Sequence, residues 1–233
     1  MANNYLIHVI LKITSCAAPV PSGKYKMKIH ANARETDTME TVAPPNATAE
    51  DAIAALTRRI EVLEAEADIR RLQARYMFLC DTPLPEFGVA DDAERIERIV
   101  ELYTADAVWE GVGEYYDGQF GRAAGHDAIR AHFTKFWGQK QDPELILNCH
   151  YLTSEQIRVH DGGATAEGQW VHMQPWLFSD GKALLRSSRL NNAFRKEPGG
   201  WRISRTRTEN VFIAPLPATW ASDYPSKSVL MAP

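Results

Sequence analysis

The stretch Ala164-Thr165-Ala166-Glu167-Gly168-Gln169-Trp170-Val171-His172-Met173-Gln174-Pro175-Trp176 decides the fold class. Trp170, His172, Gln174 and Trp176 fall on one parity, and Thr165, Glu167, Gln169 and Val171 on the other. That is the period of two which a β-strand imposes on its two faces. The period holds from Leu145 onward, through runs at 145–152, 155–160, 183–195 and 201–207. Asp161-Gly162-Gly163, Ser179-Asp180-Gly181 and Pro198-Gly199-Gly200 separate the runs with the turn chemistry of hairpins. An antiparallel meander is the expected result.

Upstream of Leu145 the period is helical. Thr48-Ala49-Glu50-Asp51 fits a capping box. Ile53, Leu56, Ile60, Leu63 and Ala67 then follow a 3,4,3,4 spacing, and a second stripe restarts, offset, at Ile69, Leu72, Tyr76 and Leu79. One long helix with two faces explains both. Its second half packs on the chain's own core, and its first half on that core or on a partner subunit. Thr82-Pro83-Leu84-Pro85 stops it, because proline lacks the next donor and restricts its neighbour. Asp91 and Asp92 open a second helix with Ile96, Ile99, Val100 and Tyr103 as apolar positions, and a strand follows at 107–110. Gly125 precedes a third helix carrying Ile129, Phe133 and Phe136 on one stripe. Helices first and a meander afterwards make an α+β domain, with helices on one face of a sheet.

Composition narrows the function. A net charge of −4 gives no basic excess for nucleic acid, and no apolar run is long enough to span a bilayer. Cys16, Cys80 and Cys149 lack metal-ligand spacing, so no metal is expected, and reduced thiols point to a cytoplasmic protein. Residues 1–48 read as a leader or disordered extension. The apolar stretch Leu6 to Ile13 has no preceding Lys or Arg, and Met27 and Met39 offer later starts. The folded domain is expected over 49–213. The tail 214–233, rich in Pro, Trp and Tyr, should pack on that domain or on a neighbouring subunit.

Two residues stand in suggestive places. Asp81 ends the amphipathic run from Ile69, and His150 sits in the apolar run 145–152. A carboxylate at a helix C-terminus opposes the dipole, so something else should hold it there. If the two meet, the carboxylate fixes the imidazole tautomer and raises its basicity, a general base needing no metal or cofactor. The row of His172, Gln174 and Trp176 faces either the interior or a subunit interface. Arg189, Asn191, Ala193 and Arg195 share one parity, either as a cationic pair for an oxyanion or as a solvated outer face. Tyr76, Trp109, Tyr115 and Tyr116 are candidate walls.

The order of elements resembles the NTF2-like (SnoaL-like) superfamily, a cone of curved sheet closed by helices around a deep pocket. Leu102-Tyr103-Thr104-Ala105-Asp106-Ala107-Val108-Trp109-Glu110-Gly111 is similar to its second-helix-to-strand segment. Gly125-His126-Asp127-Ala128-Ile129 is similar to its third-helix start, and Gly200-Trp201-Arg202-Ile203 to its last strand. The expected fold is therefore a curved antiparallel sheet closed by three N-terminal helices.

Within the superfamily the pattern resembles the branch of hexachlorocyclohexane dehydrochlorinase and scytalone dehydratase. The helix ending in Asp81, Glu110-Gly111-Val112-Gly113-Glu114-Tyr115, Cys149-His150-Tyr151, Asn191-Asn192-Ala193-Phe194-Arg195 and the segment 210–216 carry it. The resemblance implies a lyase that takes no cofactor, in which His150 abstracts a proton, Asp81 orients it and Arg195 helps the leaving group. His172 and Tyr76 would assist, and Trp109, Tyr115, Tyr116, Gln174, Trp176, Arg189 and Asn191 would contact substrate. It also implies a homotrimer acting on a mid-sized aromatic molecule, with lignin-derived diarylpropanes as one substrate class. A non-catalytic binding module and a cyclase or isomerase are the alternatives. This chain departs from the branch at Tyr76, where a lysine can stand, and at Cys80, where scytalone dehydratases carry tyrosine.

Overall fold

The computed structural model describes residues 48–217 except 84, 115 and 117–119, together with 219 and 220. The expected leader and most of the expected tail lie outside these residues.

Helix α1 spans Ala49–Cys80. Thr48 caps it through a complete capping box: its hydroxyl accepts from the Asp51 N–H at 3.2 Å while the Asp51 carboxylate accepts from the Thr48 N–H at 3.0 Å. All its buried residues, Ala65, Ile69, Gln73, Tyr76, Met77, Leu79 and Cys80, lie in the second half. Helix α2 (Asp92–Glu101) is capped by Asp91, and helix α3 (His126–Trp137) follows Gly125, whose φ of +79° suits glycine.

Among the described residues seven strands form one sheet in the order β2-β1-β7-β6-β5-β3, with β4 also on β5. Their ranges are β1 Tyr103–Val112, β2 Arg122–Ala124, β3 Leu145–Asn148, β4 Tyr151–Val159, β5 Thr165–Phe178, β6 Ala183–Glu197 and β7 Gly200–Pro215. The meander β4 to β7 is antiparallel, as the hairpin turns require. One expectation changes: β1 pairs with β7 in parallel, so the sheet is mixed. No short turn joins β1 to β7. The intervening chain crosses the sheet and returns in the same direction, which sequence periodicity does not encode.

The expected strand 145–152 is broken. Asn148 pairs with Trp176 and Tyr151 with Met173, so Cys149 and His150 lie across from Pro175 and Gln174 without ladder pairing. Pro175 has no N–H to offer at this place. Thr82 forms an isolated bridge with Asn148, its N–H donating to the Asn148 carbonyl at 2.9 Å and its carbonyl accepting the Asn148 N–H at 3.0 Å. The chain leaving α1 is thereby tied to β3 beside the break.

The main core joins the buried half of α1 to α2, α3 and the inward rows of the sheet. Leu147, Leu177 and Ala183 form a smaller cluster against which Leu216 and Trp220 pack. Among the described residues no helix is long and apolar enough to cross a membrane.

Candidate active site

The isolated bridge brings Asp81 and His150 together. Asp81 is the C-cap of α1, with extended backbone (φ −77°, ψ 149°). Its Oδ1 accepts the His150 backbone N–H at 3.0 Å and bonds His150 Nδ1 at 2.7 Å. The N–H released by the strand break thus goes to the carboxylate. This offsets the unfavourable helix dipole noted from the sequence.

The far nitrogen of His150 is also held. Gln174 Nε2 lies 3.1 Å from His150 Nε2 and 2.5 Å from Asn148 Oδ1, while Asn148 Nδ2 donates to the Cys80 carbonyl at 3.1 Å. The carbonyl can only accept, so Asn148 presents oxygen to Gln174 and Gln174 presents N–H to His150. His150 is then protonated on Nδ1 with its lone pair on Nε2, the tautomer a general base needs.

His150 and His172 stack, with ring centroids 5.0 Å apart and planes 15° from parallel. His172 is buried, and neither ring nitrogen has a hydrogen-bond partner among the described residues. Burial, then the neighbouring His150 and Arg186, push its pKa down to about 2. The even row of β5 therefore faces inward, and Gln174 and Trp176 line the same cavity as His150 and His172. Tyr76, Trp109 and Tyr116 line it too. Trp109 Nε1 donates to the Tyr76 hydroxyl at 2.9 Å, and burial holds the Tyr76 phenol well above its ordinary pKa, so it stays protonated.

Three expected site residues lie elsewhere. Arg195 sits on the outer face, bonded to Asp106 at 2.7 and 3.1 Å and to Glu197 at 3.0 Å. Arg189 is exposed, and half-buried Asn191 accepts from Gln169 Nε2 at 2.8 Å across the outer face. The inward row of β6 is the even one: Arg186, Ser188, Leu190, Asn192 and Phe194 are all buried. The odd row, with Arg189, Asn191 and Arg195, lies on the face opposite these buried residues. Tyr115 lies outside the described residues.

Residues not singled out in the sequence complete the site. Asn148 is the one polar side chain in its apolar strand, which was the available signal. His132 falls with Ile129, Phe133 and Phe136 on one stripe of α3. It packs 4.1 Å from the Trp109 ring, and burial with Lys135 pushes its pKa down to about 4. Arg186 is fully buried, pairs with Gln174 across the β5–β6 ladder and lies over the Trp176 ring at 3.9 Å.

The two depressed histidines set a pH dependence. An unfolded histidine titrates near pH 6.5, so below that pH the unfolded chain takes up protons that folded His132 and His172 refuse. Their contribution to stability is whole above about pH 6.5 and is lost as pH falls, by about 1.4 kcal/mol per pH unit for each ring. Urea titrations at pH 7, 6 and 5 should show this fall, and His132→Phe should remove one ring's share. Equal slopes in parent and variant would contradict a neutral buried His132.

The SnoaL-like domain family matches residues 61–207, more than half of the chain, and the chain belongs to that family. No curated protein matches it. A provisionally named aromatic ring hydroxylase from Novosphingobium aromaticivorans shares 22% identity, over 66% of this chain and 94% of that one, with a TM-score of 0.53. Hexachlorocyclohexane dehydrochlorinase LinA type 2 shares 16% identity over 68% and 93%, also at 0.53. A provisionally named scytalone dehydratase from Novosphingobium aromaticivorans shares 14% over 66% and 89%, at 0.51. At these identities the likeness is one of fold, an α+β cone with a curved mixed sheet.

Proposed function

We propose that the chain is a lyase of the elimination type, taking no cofactor, that uses His150 and Asp81 on a compact aromatic molecule. The observation that carries this is the 2.7 Å bond between Asp81 and His150 at the edge of an aromatic-walled cavity. His150 Nε2 would take a proton from carbon, and the C–H electron pair would form a double bond to the neighbouring carbon. That carbon would lose a leaving group that accepts a hydrogen bond from the Tyr76 phenol or the His172 N–H, with the proton taken up by His150 passing to the leaving group or to solvent. The Asp81 carboxylate would stabilise the imidazolium until its proton is passed on. General acid–base help of this kind is worth about 10²–10⁴-fold.

The cavity encloses about 90 Å³, well below the roughly 300–1,000 Å³ of pockets that bury drug-sized ligands. A single ring fits this better than a two-ring diarylpropane. With Arg195 outside the cavity, the leaving-group role expected for it passes to no other cation in this proposal.

A second reading, a non-catalytic ligand-binding module, draws on Gln174, whose N–H already occupies the lone pair of the would-be base. One experiment separates the two. Purified protein is incubated without cofactor with benzylic alcohols, aryl-propanediols and halogenated rings, and masses are read. Loss of water or hydrogen halide, absent with His150→Ala, is the expected result; loss of formaldehyde would mean that the base instead takes a hydroxyl proton as a C–C bond breaks. Chromatographic shifts at constant mass would favour an isomerase or cyclase. Ligand uptake with no product at any pH would favour the binding module.

A further inference from the structure

None of residues 49–64 of α1 is buried, and the buried face begins only at Ala65. A helix of this length without tertiary packing is marginal in water. Along it Ile53, Leu56, Ile60 and Leu63 are 63%, 56%, 55% and 63% exposed, at heptad spacing. The family match begins at residue 61, so most of this stripe precedes the part of the chain shared with the family.

We propose that this arm pairs with the same arm of a second copy as a parallel two-stranded coiled coil. The residue types choose the partner and the geometry. Ile53 and Ile60 occupy a positions and Leu56 and Leu63 occupy d positions, the combination that favours two parallel strands. Flanking charges agree. In a parallel pair each g position faces the e position five residues later on the other strand. Arg59 at g then faces Glu64 of the partner subunit, and Glu66 at g faces Arg71 of the partner subunit. Both pairs are opposite in charge, so the surface complements itself. Arg71 already bonds Asp68 within its own helix, which leaves Arg59 and Glu64 as the more telling pair. A trimer held by these arms would call for different residues at a and d.

The test uses the full chain with Cys16→Ser and Cys149→Ser, which leaves buried Cys80 as the one other thiol beside the added one. Leu56→Cys, mildly oxidised at low micromolar concentration, should form a covalent dimer of twice 26.2 kDa on a denaturing gel. Adding Ile60→Asp should cut dimer yield at least tenfold. Arg59→Glu should also cut it, and the further change Glu64→Arg should restore it. By light scattering, Ile60→Asp should halve the mass of the parent. The proposal is overturned by a thiol that alkylates freely yet forms no dimer, which would place an antiparallel copy or a different occupant on the stripe. It is equally overturned by a parent mass that Ile60→Asp leaves unchanged, or by a charge reversal that restores nothing.

Discussion

His150→Ala is expected to lower turnover by about 10²–10⁴-fold and to leave the fold standing. The ring contributes little to the core: it sits at a strand break, and its bonds run to Asp81 and Gln174. The backbone N–H that ties this loop to Asp81 survives in alanine. A cooperative melt near that of the parent, with turnover gone, is the expected pair of results. Near-normal turnover would remove His150 from the mechanism. Asp81→Asn sharpens the test. An amide oxygen can still accept both bonds but brings no charge to the imidazolium. The base should weaken, and the acid limb of the pH–rate profile should move to lower pH while kcat falls. A variant with reduced kcat and an unmoved profile would assign Asp81 to structure alone.

Phe194→Ala should cost about 3–5 kcal/mol of stability. Phe194 is 1% exposed and meets Trp170 edge-on, with ring centroids 6.3 Å apart. Gly168 completes the arrangement: a Cβ there would fall 2.3 Å from the Trp170 ring and 3.1 Å from Phe194, so the indole lies on bare backbone. Removing the phenyl leaves a void that neither strand can close without giving up the ladder between β5 and β6. At roughly 2–4 °C per kcal/mol for a chain of this size, the melting temperature should fall by about 6–20 °C. A fall of less than about 2 °C would show that the indole collapses into the space at little cost.

Two tryptophans sharing one parity marked a row of β5 for burial, because buried rows carry large apolar residues, but whether it faced the interior or a subunit interface the sequence left open. The same rule was available on β6, where Leu190 and Phe194 mark the even row. Two arginines and an asparagine on the odd row looked like chemistry and drew the reading outward, whereas Asp106 and Glu197 hold Arg195 in solvent. The break at Cys149 and His150 was illegible because its cause, Pro175 and the bridge from Thr82, lies far away along the chain. The parallel pairing of β1 with β7 is likewise a property of the path between them. His132 hid in plain helical spacing, since a histidine among phenylalanines reads as one more core ring. Asn148 was readable in place but not in role, which depends on Gln174 and on a backbone carbonyl.

That carbonyl makes the site directional. Once His150 accepts a proton, its Nε2 carries a hydrogen and can no longer face the N–H of Gln174. The Gln174 amide must then turn to offer oxygen, which breaks its bond to Asn148 unless that amide turns too and lets go of the Cys80 carbonyl. The site is a latch with two settings, and one segment grips both sides of it. Asp81 favours the charged setting, while Cys80, its chain neighbour, favours the neutral one through two amides. If the chain turns over as proposed, resetting the latch means turning those amides back, so the time taken by two amides in the cavity wall would enter the cycle.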